Sequence, residues 1–147
     1  DLDISQPIYV LGRGFSYPNA KEFALKLQET CLVPVQGMSS SDFMHGPIAS
    51  LNAAAQVIFI ATHHLPKESF GEAPSRVRAI TGKVYWIGSN VHSTGIDVVL
   101  NTPSTDSEIS ACVSDAVAFQ KVTHELAVSN GLNPDSPEGL NKVTITR

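Results

Sequence analysis

The sequence predicts an α/β fold, a three-layer αβα sandwich around a five-stranded, mainly parallel sheet. Three observations carry this. Five short β-rich runs recur along the chain, helical segments separate most of them, and the runs are continuously apolar rather than alternating. Continuous runs suit strands covered on both faces, as in parallel sheets. Alternating strands and helices then imply a doubly wound sheet, for which a flavodoxin-like strand order is expected.

The runs lie at 8–11, 33–36, 57–61, 84–87 and 97–100. Between the first two, Ala20, Phe23, Ala24, Leu27 and Cys31 recur with a helical period, which predicts a helix over 19–31. The stretch 42–55 holds one helical turn starting near Pro47, since proline is tolerated at a first helical position. A third helix includes 75–80. The longest covers 107–129, with Ser107 as N-cap and Gly131 as its stop. Between the fourth and fifth strands only a loop is expected. The tail, 133–147, is polar and contains proline, and it reads as an extended segment laid over the domain.

The 147 residues suffice for one domain with a real core, and 42% hydrophobic against 16% charged residues exclude a disordered chain. A net charge of −4 gives no basic stripe for nucleic acid, and the scattered cations suggest no membrane surface. The most apolar run, near 57–61, is too short to span a bilayer, and no signal peptide is visible. Cys31 and Cys112 read as reduced thiols, so the expected compartment is the cytoplasm. No metal is expected: the histidines and cysteines form no ligand-spaced cluster, and the neighbours His63 and His64 would point apart. The chain lacks an initiator Met and reads as one domain of a larger protein.

Ligands of such sheets bind beyond the carboxyl ends of the strands. There the first strand is followed by Gly12, Arg13 and Gly14, where two glycines permit a tight turn and a close approach. A dinucleotide fingerprint is not met, because Tyr17 replaces the third glycine and Gln36–Gly37 replaces the acid after the second strand. A plain turn explains the glycines but not Arg13. Glu22, Lys26 and Glu29 are spaced four and three, so they share one helix face. That face is either a set of solvated ion pairs or, if aimed into a cleft, a base beside a cation. Ser41 and His45 sit in a Ser-rich loop, where a histidine can move protons near neutral pH. Lys142, in the tail, reads from composition as a surface lysine.

The runs GRGFSYPNAKEFALKLQETC (12–31), SSSDFMHGPIASL (39–51) and NPDSPEGLNKVT (133–144) resemble the sugar isomerase (SIS) domain family. Within it they are most similar to the second SIS domain of glucosamine-6-phosphate deaminases and of the isomerase half of glucosamine-6-phosphate synthases. QETC and SSSDFMHGPIA lean toward the deaminase branch. The resemblance implies an aldose–ketose isomerase or deaminase acting on an amino-sugar phosphate without cofactor or metal. It implies that Glu29 moves a proton between C1 and C2, with Lys26 and Glu22 as companions. It assigns Arg13 to the family's GRG turn, His45 to ring opening across a subunit contact, and Lys142 to the sugar's reactive end. Gly12, Gly14 and Ser41 are counted with Arg13 as substrate-binding.

The family's phosphate site is a Ser/Thr-rich pair of loops in a first SIS half, and nothing here matches it. Gln28, Asp42 and Met44 also depart from the synthase pattern. A first SIS half and a homodimer are therefore expected partners, and the isolated domain is expected to be inactive. Three alternatives stay open: the synthase reaction, a deglycase substrate, and a non-catalytic phosphosugar-binding module.

Overall fold

The computed structural model describes residues 2–62, 67–89 and 98–140. One sheet holds β1 (Ile8–Gly12), β2 (Val35–Ser39), β3 (Gln56–Ile60), β4 (Val84–Gly88) and β5 (Val98–Asn101). Its order is β2-β1-β3-β4-β5, and every neighbouring pair is parallel. This is the expected flavodoxin-like order. The helices are α1 (Ser16–Cys31), α2 (Ser40–Met44), α3 (Ala73–Arg78) and α4 (Glu108–Ser129), with 3-10 turns at Pro47–Ser50 and Lys67–Phe70.

Side chains alternate across the sheet and build two cores. Ile8 and Val10 of β1, with Ile58, Ile60 and Ile87, pack against Phe23 and Leu27 of α1 and Phe119 of α4. Tyr9 and Leu11, with Val57, Phe59 and Trp86, face Phe43, Ile48, Phe70 and Val77 on the other side. Phe59 stacks on Trp86 at 4.6 Å between centroids, and Phe70 meets both edge-on. Helices α1 and α4 thus form one layer, and α2, the Pro47–Ser50 turn and α3 the other.

The predicted burial of every strand on both faces holds for β1 and β3 and fails at the sheet's edges. β2 and β5 are largely half-buried or exposed, because each has a neighbour on one side only. The second strand also begins two residues later than its apolar run. Leu32 takes the left-handed conformation, at φ 57°, to end α1, and Pro34 has no N–H to give a ladder. The Gln28 amide then donates to the Val35 carbonyl at 2.7 Å, fixing where β2 starts.

The Ser-rich stretch after β2 is not an open loop, since Ser40 begins α2 directly. Phe43 drives this by inserting fully into the second core. The ends of α4 follow the sequence reading. Ser107 accepts from the Ser110 N–H at 3.2 Å, and Gly131, at φ 75°, lets Leu132 N–H reach the Ala127 carbonyl. Over its described part, 133–140, the tail turns instead of running extended, because Asn133 accepts from the N–H groups of Asp135 and Ser136. Cys31 and Cys112 are unpaired, and burial pushes both thiols up. No described helix is long and apolar enough to cross a membrane.

Candidate active site

Glu22, Lys26 and Glu29 come together on the outer face of α1, as their spacing requires. The Lys26 ammonium lies 2.5 Å from Glu29 Oε2 and 3.9 Å from Glu22 Oε1. Its hydrogen bond to Glu29 raises the Lys26 pKa, and the charges of Glu29 and Glu22 add to this. Side-chain exposures of 45%, 32% and 32% for Glu22, Lys26 and Glu29 leave the group at the surface. Water screens such pairs, so their contribution to stability is at most about 1 kcal/mol. No element among the described residues folds over this face. Glu22 also borders an open groove of about 680 Å³ between α1 and the edge strand β2, lined by Leu25, Gln28, Gln36 and Met38.

The turn after β1 places the second group. Gly14, at φ 55°, makes the turn and is open to solvent. Gly12 is buried, and the close approach it permits is to α1 itself. A Cβ there would stand 2.2 Å from the Ser16 carbonyl oxygen. Gly12 thereby lets the turn pack directly against the first turn of α1. Arg13 is exposed and donates to the Ser41 hydroxyl at 3.0 Å, tying the ends of β1 and β2 together. His45 caps the end of α2 and is also exposed.

The structure does not bring these two groups to one point. α1 runs back along the sheet from its start beside Arg13. Glu29 lies 13 residues beyond Ser16, about 20 Å along the helix axis at 1.5 Å per residue. His45 belongs to the opposite helical layer. Lys142 lies outside the described residues, as do His63 and His64.

Two polar clusters escaped the sequence reading. Ser16 is fully buried, and its hydroxyl donates to Thr62 Oγ1 at 3.2 Å and accepts from the Thr62 N–H at 3.1 Å. The single hydroxyl in the first turn is therefore consumed in joining α1 to β3. Asp115 is the second. It is fully buried on α4, accepts from Thr102 Oγ1 at 2.6 Å, and has no partner for Oδ2 among the described residues. Burial pushes its pKa up to about 6 against the pull of the Thr102 hydroxyl. The signal was present: Asp115 interrupts the buried stripe Ala111, Phe119, Thr123 and Ala127.

Comparison with known proteins agrees with this architecture. A family model described as SIS domain matches residues 3–117. The glutamine–fructose-6-phosphate aminotransferase (isomerizing) of Methanosarcina mazei is 35% identical over 142 residues, covering 94% of this chain and 23% of that protein. The protein of the same description from Pyrococcus horikoshii is 30% identical, over 96% and 24%. The chain thus spans about a quarter of the length of these relatives. Among solved structures, the C-terminal domain of glucosamine-fructose-6-phosphate aminotransferase from Francisella tularensis superposes with a TM-score of 0.78 at 22% identity. It covers 89% of this chain, which spans 38% of that one. Glucosamine-6-phosphate deaminase from Thermotoga maritima superposes at 0.69 and 20% identity, over 99% and 43%. These two likenesses are of fold. With the family model matched over most of its length, this chain belongs to the SIS domain family.

Proposed function

We propose that this chain supplies the acid–base part of an isomerase site for an amino-sugar phosphate, with Glu29 as the base. The observation that carries the proposal is the Lys26 ammonium held between Glu29 and Glu22 on an open helix face. The Lys26 ammonium at 2.5 Å holds the Glu29 carboxylate in place. Such a carboxylate can take the C2 proton of an opened aldose and return it to C1. Lys26, beside it, offsets the negative charge that develops on the enediol-type intermediate.

In this reading the phosphate is gripped by another domain. Ser16 and Thr62, the hydroxyls nearest the first and third strand ends, are buried and bonded to each other. Exposed Arg13 and Gly14 with half-buried Ser41 form a polar rim, suited to a sugar held between two domains. His45, on the layer away from Glu29, opens the ring of a sugar bound to a neighbouring chain, and Lys142 approaches the reactive end.

The proton transfer is common to ammonia release from glucosamine 6-phosphate and to the transferase reaction named for the relatives. Two assays on the full-length parent separate them: ammonia released from glucosamine 6-phosphate, and glucosamine 6-phosphate formed from fructose 6-phosphate with glutamine. Glu29→Gln is expected to lower kcat in whichever reaction operates by about 10²–10⁴-fold. An unchanged kcat in that variant refutes the role of Glu29.

A further inference from the structure

The two halves of α4 are held by different means. Phe119, Thr123 and Ala127 of the second half are buried, and Phe119 stacks on Phe23 of α1 at 5.1 Å between centroids. The first half, 108–118, buries Ala111 and Asp115 alone. Its larger apolar side chains, Ile109, Val113 and Val117, are exposed. What fastens this half is polar. Thr102, directly after β5, donates to Asp115 Oδ1 at 2.6 Å. Asn19 of α1 donates to the Cys112 carbonyl at 3.0 Å, and the Cys112 thiol donates to the Phe15 carbonyl at 3.2 Å. A segment with few buried apolar groups opens more readily than the core around it.

The surroundings of Asp115 decide when such an opening is favoured. Its Oδ2 has no partner among the described residues, and neither has Ser89 Oγ, beside Thr102 at the ends of β4 and β5. The described polar groups near it on other elements are uncharged: Thr102 after β5, Ser89 after β4 and Asn19 on α1. On α4 itself the titratable neighbours are Cys112, one turn before, and Glu108. Burial and the charges of Asp115 and Glu108 push the Cys112 thiol up. No cation among the described residues steadies a charge on Asp115, and burial pushes its pKa up to about 6.

We propose that the first half of α4 opens locally from α1 and the strand ends, as a clasp that a proton on Asp115 keeps shut. Closed, the buried carboxyl favours its neutral form. Open, it is hydrated and ionises near 3.8. The closed form therefore holds the proton more tightly, so opening becomes easier as pH rises from about 4 to about 6 and levels off above about 7. The two values correspond to a rise of about 50-fold in the opening constant between pH 4 and pH 7. Because the Cys112 thiol holds the Phe15 carbonyl, opening also releases, on its α4 side, the turn that presents Arg13. The inference stands apart from the reaction proposed above, and its readout is amide exchange rather than turnover.

The test is amide hydrogen exchange of the 147-residue chain, followed by NMR at pH 4, 5, 6 and 7 and corrected for the intrinsic rates. In the wild type, the amides of 112–118 are expected to exchange at least about tenfold faster than those of β1 and β3. Their opening constant is expected to rise about 50-fold over this range, and less than about threefold in Asp115→Asn. Amides of 112–118 protected as fully as those of β1 and β3 overturn the proposal. So does a wild-type opening constant that stays flat between pH 4 and pH 7, and these two outcomes need no variant. A constant that climbs as steeply in Asp115→Asn as in the wild type overturns it as well.

Discussion

Replacing Asp115 with Asn tests whether a buried charge weakens this fold at neutral pH. Asp115 has no exposed surface and, among the described residues, a hydrogen bond from Thr102 and no partner for Oδ2. Its pKa is raised from 3.8 to about 6, chiefly by desolvation. The folded state therefore holds this proton more tightly than the unfolded chain does. Between these two values folding takes up a proton, so stability rises as pH falls through about 6 and levels off below about 4. The interval corresponds to about 3 kcal/mol, the cost of ionising Asp115 in the folded state at pH 8. Asn cannot ionise and preserves the acceptor for Thr102. Asp115→Asn is thus expected to stabilise the protein by about 3 kcal/mol at pH 8, with the gain shrinking to near zero at pH 4. Urea unfolding of both proteins at pH 4, 5, 6, 7 and 8 measures this difference, and other titrating groups cancel in it. A difference that does not change with pH refutes the reasoning, as does one that grows toward acid.

Two further substitutions probe the backbone. Leu32 is exposed and holds the left-handed conformation that ends α1, so Leu32→Gly is expected to raise stability by about 1 kcal/mol, read as a higher urea midpoint at constant m. An unchanged or lower midpoint would show that Leu32 contributes contacts outweighing its strain. Gly12→Ala sets a Cβ 2.2 Å from the Ser16 carbonyl, and backbone cannot swing aside. It is expected to cost about 3 kcal/mol in thermal or urea unfolding, and a neutral result would remove the packing role given to Gly12.

The strength of the first core explains why so much of the fold was legible. β1 and β3 are fully buried and almost wholly apolar, and their type was readable from the continuous apolar runs 8–11 and 57–61. α4 announced both its ends with Ser107 and Gly131. The misreadings cluster where a tertiary neighbour overrides a local pattern. Val33 and Pro34 look like strand, yet a left-handed Leu32 and the Gln28 bond to Val35 delay β2 by two residues. Ser39–Asp42 looks like a ligand loop, yet Ser39 ends β2 and the burial of Phe43 winds the rest into α2.

The candidate site divides in the same way. Spacing by four and three fixed Glu22, Lys26 and Glu29 on one face, because a helix period is a local property. Glycine spacing likewise fixed a turn at Gly12–Arg13–Gly14. The sequence by itself thus determined the sheet, its helical layers and the membership of the charged face. Only the tertiary structure decided that α2, which ends at His45, packs on the layer opposite α1 and that Ser16 is spent on Thr62. It also decided that Asp115 is buried with one oxygen unpaired among the described residues. The physical reason is that distance across a fold, exposure and hydrogen-bond satisfaction are set by which elements pack together. A pattern within one segment carries none of that information.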